Sequence, residues 1–238
     1  LLGLITGSLD MNDFADCDLV IEAVFENLAL KKEIFEKLDG ICKQGAILAS
    51  NTSGLDVDAI AAVTKRPEDV IGLHFFSPAN VMRLLEIVRA DKTSDDVLAT
   101  CVKMAKAIRK VGVVSGVCPG YIGNRMLGGY MREADRMILE GATPSQVDKA
   151  VFDFGMPMGP FTMSDMAGVD VGYLVRREAG IEIGSKHSAI GDNLYDMGRH
   201  GKKTSAGFYD YGEGSRVPQP SAKVEAMIKE VAAKFDVE

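Results

Sequence analysis

Asp18-Leu19-Val20-Ile21-Glu22-Ala23-Val24-Phe25 is short, apolar and rich in β-branched residues. A run of this kind reads as a strand buried on both faces. The next stretch changes period. From Asn27 to Ile41 the apolar residues Leu28, Ile34, Phe35, Leu38 and Ile41 share one face of a helix, with Lys31, Lys32, Glu33 and Lys37 around it. The alternation then continues. Residues 46–49, 70–75, 84–88 and 111–115 read as strands, and 56–63 and 94–109 as helices. Ser94 caps the latter helix, and Asp95 and Asp96 sit in its first turn. Strand and helix in this order predict an α/β unit, a mostly parallel sheet with helices on its faces.

The pattern changes after Gly116. Residues 116–120, with Pro119 and two glycines, read as a linker, and the chain beyond it has helical periodicity. A long helix over 121–140 stops at Gly141. Thr143-Pro144-Ser145-Gln146 is a capping box that starts a helix reaching about Phe154. Residues 155–168 read as a glycine- and methionine-rich turn and short helix, 169–178 as a helix, and 185–203 as polar connection. Pro218 and Pro220 precede a last helix over 221–235. The expected organisation is a sheet domain over 1–116, a linker over 117–122, and an all-α domain over 123–238.

The chain has 238 residues, 47% of them hydrophobic and 26% charged, the profile of a soluble globular protein. A net charge of -7 argues against nucleic acid as partner. No apolar run approaches the roughly 20 residues that cross a bilayer, so no membrane insertion is expected. Cys17, Cys42, Cys101 and Cys118 form no CxxC pair and read as reduced thiols. No metal-ligand spacing is present.

Candidate chemistry gathers where apolar runs end, which is where ligands bind in open parallel sheets. The segments are Ser50-Asn51-Thr52-Ser53, Gly72-Leu73-His74-Phe75-Phe76-Ser77-Pro78, and Glu86. His74 ends a strand beside two phenylalanines, a place for an exposed general base. His187 and His200 lie in polar surroundings and read as solvated. Glu86 stands between Leu85 and Ile87, and a carboxylate in an apolar strand needs a partner. The residues leave two partners open: Arg83 or Arg89 in a salt bridge, or the imidazole of His74. The second would fix the ring's tautomer and leave its other nitrogen to take a proton. Ser53 reads as turn chemistry or as a ligand contact. Asn124, early in the long helix, faces solvent or a substrate oxygen. Glu26 and Lys31 flank the first turn of a helix after a strand, a place where ribose and phosphate groups can be met, although solvation is the stronger reading for Lys31.

Several separated motifs, in order, resemble the NAD-dependent 3-hydroxyacyl-CoA dehydrogenases of fatty-acid β-oxidation. They are DLVIEAVFE, SNTSGL, GLHFFSPANVMRLLEIV, PGYIGNRML, FGMPMGPFTMSDMAG and GRHGKKTSAGFYDY. Ser77 and the GNRML segment resemble more closely the multifunctional enzymes that join an enoyl-CoA hydratase to this dehydrogenase. The resemblance implies oxidation of an (S)-3-hydroxyacyl-CoA to the 3-oxoacyl-CoA with NAD. It implies that His74 is the general base, that Glu86 orients it, and that Ser53 and Asn124 meet the substrate's oxygen region. It places Glu26, Lys31, Ser53 and Ser77 on the cofactor side. No GxGxxG is present and the chain opens on Leu1, so the expected fold is an incomplete Rossmann-type sheet whose pyrophosphate-binding start lies upstream. The expected partners are an acyl-CoA and a second copy bound through the helical domain. The expected compartment is the cytoplasm of a bacterium or the peroxisome of a eukaryote. Two other readings stand beside this one. A hydroxy-acid dehydrogenase without CoA would carry a lysine four residues before Asn124, where this chain has Gly120. A crystallin-like structural relative would have no need of both His74 and Glu86.

Overall fold

The structure is a computed structural model that describes residues 2–178, 180–186, 188–215 and 217–236. The chain divides into two compact units, Leu1–Leu127 and Gly128–Glu238. The first holds a five-stranded sheet in the order β1-β2-β3-β4-β5, formed by Leu19–Glu22, Ile47–Ser50, Val70–Phe75, Leu84–Arg89 and Val111–Gly116. Its helices are α1 (Leu28–Ile41), α2 (Val57–Ala61) and α3 (Asp95–Ala107). Side chains alternate across the sheet. Val20, Leu48, Val70 and Val88 meet Phe35, Leu38, Val57 and Ile60 of α1 and α2. Ile47, Ala49, Ile71, Leu73, Leu85 and Ile87 meet Val97, Cys101 and Ala105 of α3. The central strands β2, β3 and β4 are therefore covered on both faces. β1, read from the sequence as buried on both faces, is not: Ile21 is 40% exposed and Phe25, just beyond the strand, 86%, and β5 exposes Val111 and Val114.

The expected α/β architecture is present, with one reversal. β1, β2 and β3 run parallel, and so do β4 and β5, but β3 and β4 are antiparallel. A parallel return needs a crossover of roughly a dozen residues or more. The connection over residues 76–83 is shorter and carries no helix, so β4 folds straight back on β3. That reversal sets His74 opposite Glu86 in the register.

The second unit is helical, as the sequence suggests. Its elements are the greater part of α4 (Gly123–Leu139), then α5 (Pro144–Phe154), α6 (Pro160–Ala167), α7 (Val169–Glu178), α8 (Ala189–Asp196) and α9 (Ala222–Lys234). The Thr143 capping box forms with both reciprocal bonds. Helix α8 lies inside the stretch read as polar connection. It is short and carries Gly191, Asp192 and Asn193, which mask the buried face of Ala189, Ile190 and Leu194. The core joins Ile138, Phe161, Leu194, Val224, Ile228 and Val231. Asp165 is enclosed here, accepting bonds from the Phe208 and Tyr209 amides at 2.7 and 3.0 Å and the Tyr211 hydroxyl at 2.9 Å. Asp148 likewise accepts from the Phe161 and Thr162 amides and the hydroxyls of Thr162 and Tyr209.

Candidate active site

His74 and Glu86 face each other on adjacent strands, and the imidazole Nδ1 lies 2.7 Å from Glu86 Oε2. Both side chains are buried, Glu86 to 1% exposure. Of the two partners the residues left open for Glu86, the imidazole is the one it takes, because Arg89 turns instead to Asp95 at 2.7 Å. Among the described residues the other ring nitrogen of His74 has no hydrogen-bond partner. The ring packs on Phe76 at 4.4 Å between centroids and on Tyr121 at 6.1 Å.

Glu86 does more than orient the ring. Its second oxygen, Oε1, accepts from the amides of Ile122 and Gly123 at 3.0 and 2.7 Å. These are orphan donors at the start of α4, where the helix dipole favours a negative group. One carboxylate thus joins the imidazole to the amino end of the helix that carries Asn124.

The turn after β2 lies against the segment leading into α4. Asn124 Nδ2 donates to the Ser53 carbonyl at 3.2 Å, and the Tyr121 hydroxyl donates to the Leu55 carbonyl at 2.8 Å. A Cβ on Gly54 would stand 2.9 Å from the Gly120 amide nitrogen, so the close approach of the two segments depends on glycine there. Burial pushes the Tyr121 phenol well above its usual range, so it remains a neutral donor. Asn124 keeps a second amide proton for another partner.

Glu26 Oε1 accepts from Thr52 Oγ1, the Ser53 amide and Ser53 Oγ at 2.7, 2.7 and 3.0 Å. Burial raises the pKa of this carboxyl, but those three bonds, with the nearby Lys31 ammonium, outweigh it and leave it below the usual range. The side chain is 34% exposed, so the charge is open to a ligand. Lys31 is not solvated as its neighbours in the sequence suggested. It is 1% exposed, and its ammonium reaches Glu22 Oε1 at 2.8 Å, the Val24 carbonyl at 3.3 Å and Glu26 Oε2 at 3.4 Å. Two of its donors go to Glu22 and Val24, and the contact with Glu26 is an ion pair. Ser77 is exposed beyond β3, and its side chain has no hydrogen-bond partner among the described residues. His200 is partly buried, with Nε2 3.3 Å from the Tyr195 carbonyl and its ring stacked on Tyr195 at 5.1 Å. His187 lies outside the described residues.

Sequence reasoning missed Glu22 and Tyr121. The signal for Glu22 was present: like Glu86, it is a carboxylate inside an apolar strand, and the same burial argument applies. Tyr121 carries no such signal, because its role depends on a turn 66 residues away in sequence.

Residues 1–118 match the model of the 3-hydroxyacyl-CoA dehydrogenase NAD-binding domain, and residues 120–211 match that family's C-terminal domain. The chain belongs to the 3-hydroxyacyl-CoA dehydrogenase family. It is 45% identical over 251 aligned positions to the peroxisomal bifunctional enzyme of Danio rerio, covering 100% of this chain and 35% of that protein. Its structure resembles that of FadB2 of M. tuberculosis with a TM-score of 0.81 and 39% identity, covering 89% of this chain and 76% of that one. It also resembles (S)-3-hydroxybutyryl-CoA dehydrogenase PaaH1 of Ralstonia eutropha with a TM-score of 0.80 and 35% identity, covering 89% and 76%. The chain spans about a third of the length of the curated relatives it matches, 35% and 33% for two of them. Among the described residues of this family member, no helix is long and apolar enough to cross a membrane.

Proposed function

We propose that the protein oxidises an (S)-3-hydroxyacyl-CoA to the 3-oxoacyl-CoA with NAD, as a step of fatty-acid β-oxidation. The observation that carries this reading is the 2.7 Å bond between His74 Nδ1 and Glu86 Oε2 in a member of this family. Nδ1 donates to Glu86, which leaves Nε2 to take the proton of the substrate's 3-hydroxyl. Glu86 offsets the positive charge that this transfer places on the imidazole. Asn124, with its second amide proton, holds the oxygen being oxidised, and Ser53 meets the same oxygen once its hydroxyl turns from Glu26. NAD, when bound, supplies the acceptor for the hydride that leaves C3.

The donor set fits one half of that cofactor. Glu26 is a partly exposed carboxylate at the carboxyl ends of parallel strands, suited to accept from ribose hydroxyls, and Ser53 and Ser77 supply hydroxyls on the same side. Lys31, in an ion pair with Glu26, stands on the same side. The sequence has no glycine-rich turn to cradle a pyrophosphate, so the 238 residues alone are expected to bind NADH too weakly to detect at micromolar concentration.

The acyl-CoA is the proposed partner, and a second copy is proposed to dock on the helical unit. Exposed Met137, Phe152, Phe154 and Met156 support that contact, and light scattering showing a monomer at tens of micromolar would overturn it. For a eukaryotic source, likeness to relatives named peroxisomal supports that compartment. The test of function is reduction of acetoacetyl-CoA by NADH in the natural full-length enzyme. Activity that falls in His74→Gln supports the reading, and turnover equal to wild type in that variant would refute it.

A further inference from the structure

We infer that Tyr121 is a positioning residue for the base: tied to Leu55, it holds a left-handed turn that aims two backbone amides at Glu86. The inference rests on the dehydrogenase reading above and adds to it a residue that acts on the reaction through the dyad.

Gly120 and Tyr121 both have positive φ, 71° and 46°. Glycine adopts that region freely, but a bulky side chain is rarely found there. Such a residue persists where its surroundings over-determine it, and residues of this kind cluster at functional sites. Tyr121 is held in two ways. The residue is 1% exposed, packed in the cluster that includes Val57, Ile60 and Val88. Its hydroxyl donates to the Leu55 carbonyl at 2.8 Å, which ties it to the loop after β2.

The left-handed pair turns the chain so that the next two N–H groups, of Ile122 and Gly123, converge on Glu86 Oε1 at 3.0 and 2.7 Å. Successive amides after such a turn form a concave seat for an anion. The other side of the seat is closed as tightly. A Cβ on Gly123 would stand 2.8 Å from Phe76 Cζ and 3.5 Å from Glu86 Oε1, and Phe76 packs on the His74 ring at 4.4 Å. While the turn holds, the carboxylate has little room to shift, and its other oxygen stays 2.7 Å from His74 Nδ1. A phenylalanine at 121 would keep the ring and remove the bond to Leu55, so the strained turn would lose one of its two fixed points.

The test uses Tyr121→Phe in the natural full-length enzyme, alone and combined with Glu86→Gln. Thermal stability, the NADH dissociation constant and the kinetic constants for the acyl-CoA are read. Tyr121→Phe should lower kcat about tenfold, with KM and NADH affinity within about twofold of wild type, because the base is misplaced while the ligands are still held. In the Glu86→Gln background, where no carboxylate remains to be aimed, the same change should alter kcat by less than about twofold. A folded Tyr121→Phe variant with wild-type kcat would overturn the inference, as would an equal loss in both backgrounds. A raised KM with kcat unchanged would also overturn it, since the phenol would then serve substrate binding. Replacing Tyr121 with 4-aminophenylalanine, which keeps a ring and a donor, gives a second measure. A kcat within about twofold of wild type supports the role, and a tenfold loss in that folded variant overturns it. A wild-type enzyme without NAD-dependent turnover would remove the dehydrogenase reading itself.

Discussion

Two regions of this protein bury carboxylates, and they surround them with different chemistry. In the sheet unit, Glu86 gives one oxygen to two helix-start amides and the other to an imidazole. In the helical unit, Asp165 and Asp148 accept only from backbone amides and from tyrosine and threonine hydroxyls. Burial pushes the Tyr209 and Tyr211 phenols far above their usual range, so they remain plain donors at physiological pH. The first arrangement contains a partner able to gain and lose a proton. The second fastens the segment over 207–211 onto α5 and α6 and has no partner of that kind. Burying a charge marks a structural commitment in both places, and the titratable neighbour is what makes one of them a site for chemistry.

The comparison breaks most visibly at His74. His74→Gln in the full-length enzyme should lower kcat by at least about a hundredfold, the scale of general base catalysis, with little change in folding. Glu86→Gln should cost somewhat less, with KM little altered. Steady-state kinetics on the two variants check this, and equal loss of stability without loss of rate would erase the contrast. The helical unit should answer in the opposite way. Asp165→Asn places an amide where three donors converge, and should cost about 2–3 kcal/mol of stability while kcat per folded molecule stays within about twofold. Urea denaturation and an assay of the folded fraction measure the two parts.

A smaller effect sharpens the same contrast. Asp135 on α4 is partly buried; burial raises its carboxyl to about 7, against the pull of Arg176. The protonated form is therefore favoured by folding. Its contribution is whole below the unfolded pKa near 4, and is lost as pH rises toward and through about 7. Asp135→Asn should leave stability at pH 3 nearly unchanged and raise it at pH 8 by on the order of 1–2 kcal/mol, discounted for partial exposure. Paired denaturation curves at the two pH values decide it, and equal shifts at both would show that the carboxyl titrates in its ordinary range.

Much of this was legible in the residues, for local reasons. Alternating strand and helix periods identify the sheet, and the Ser94 cap and Thr143 box form where the sequence places them. His74 stood out because it ends an apolar run. Other features were not legible, because they depend on distant partners. Lys31 sits in the string Lys31-Lys32-Glu33, which has the composition of a solvated face, and only the fold shows it turned inward toward Glu22. Glu86's second oxygen finds amides 36 and 37 residues further along, a pairing that no periodicity carries. The reversal of β4 was readable from the short connection before it. It converts the twelve-residue spacing of His74 and Glu86 into a direct cross-strand contact.

The amides of Ile122 and Gly123 have one more consequence. At most helix starts the first N–H groups are solvated and exchange their hydrogens with water quickly. Here both point at a carboxylate that is sealed from solvent and bound on its far side to His74. Their deuterium uptake is therefore a clock for the anchoring of Glu86 to α4. Each opening that frees those two hydrogens must also release Glu86 Oε1, so their labelling rate measures how often the start of α4 lets go of that carboxylate.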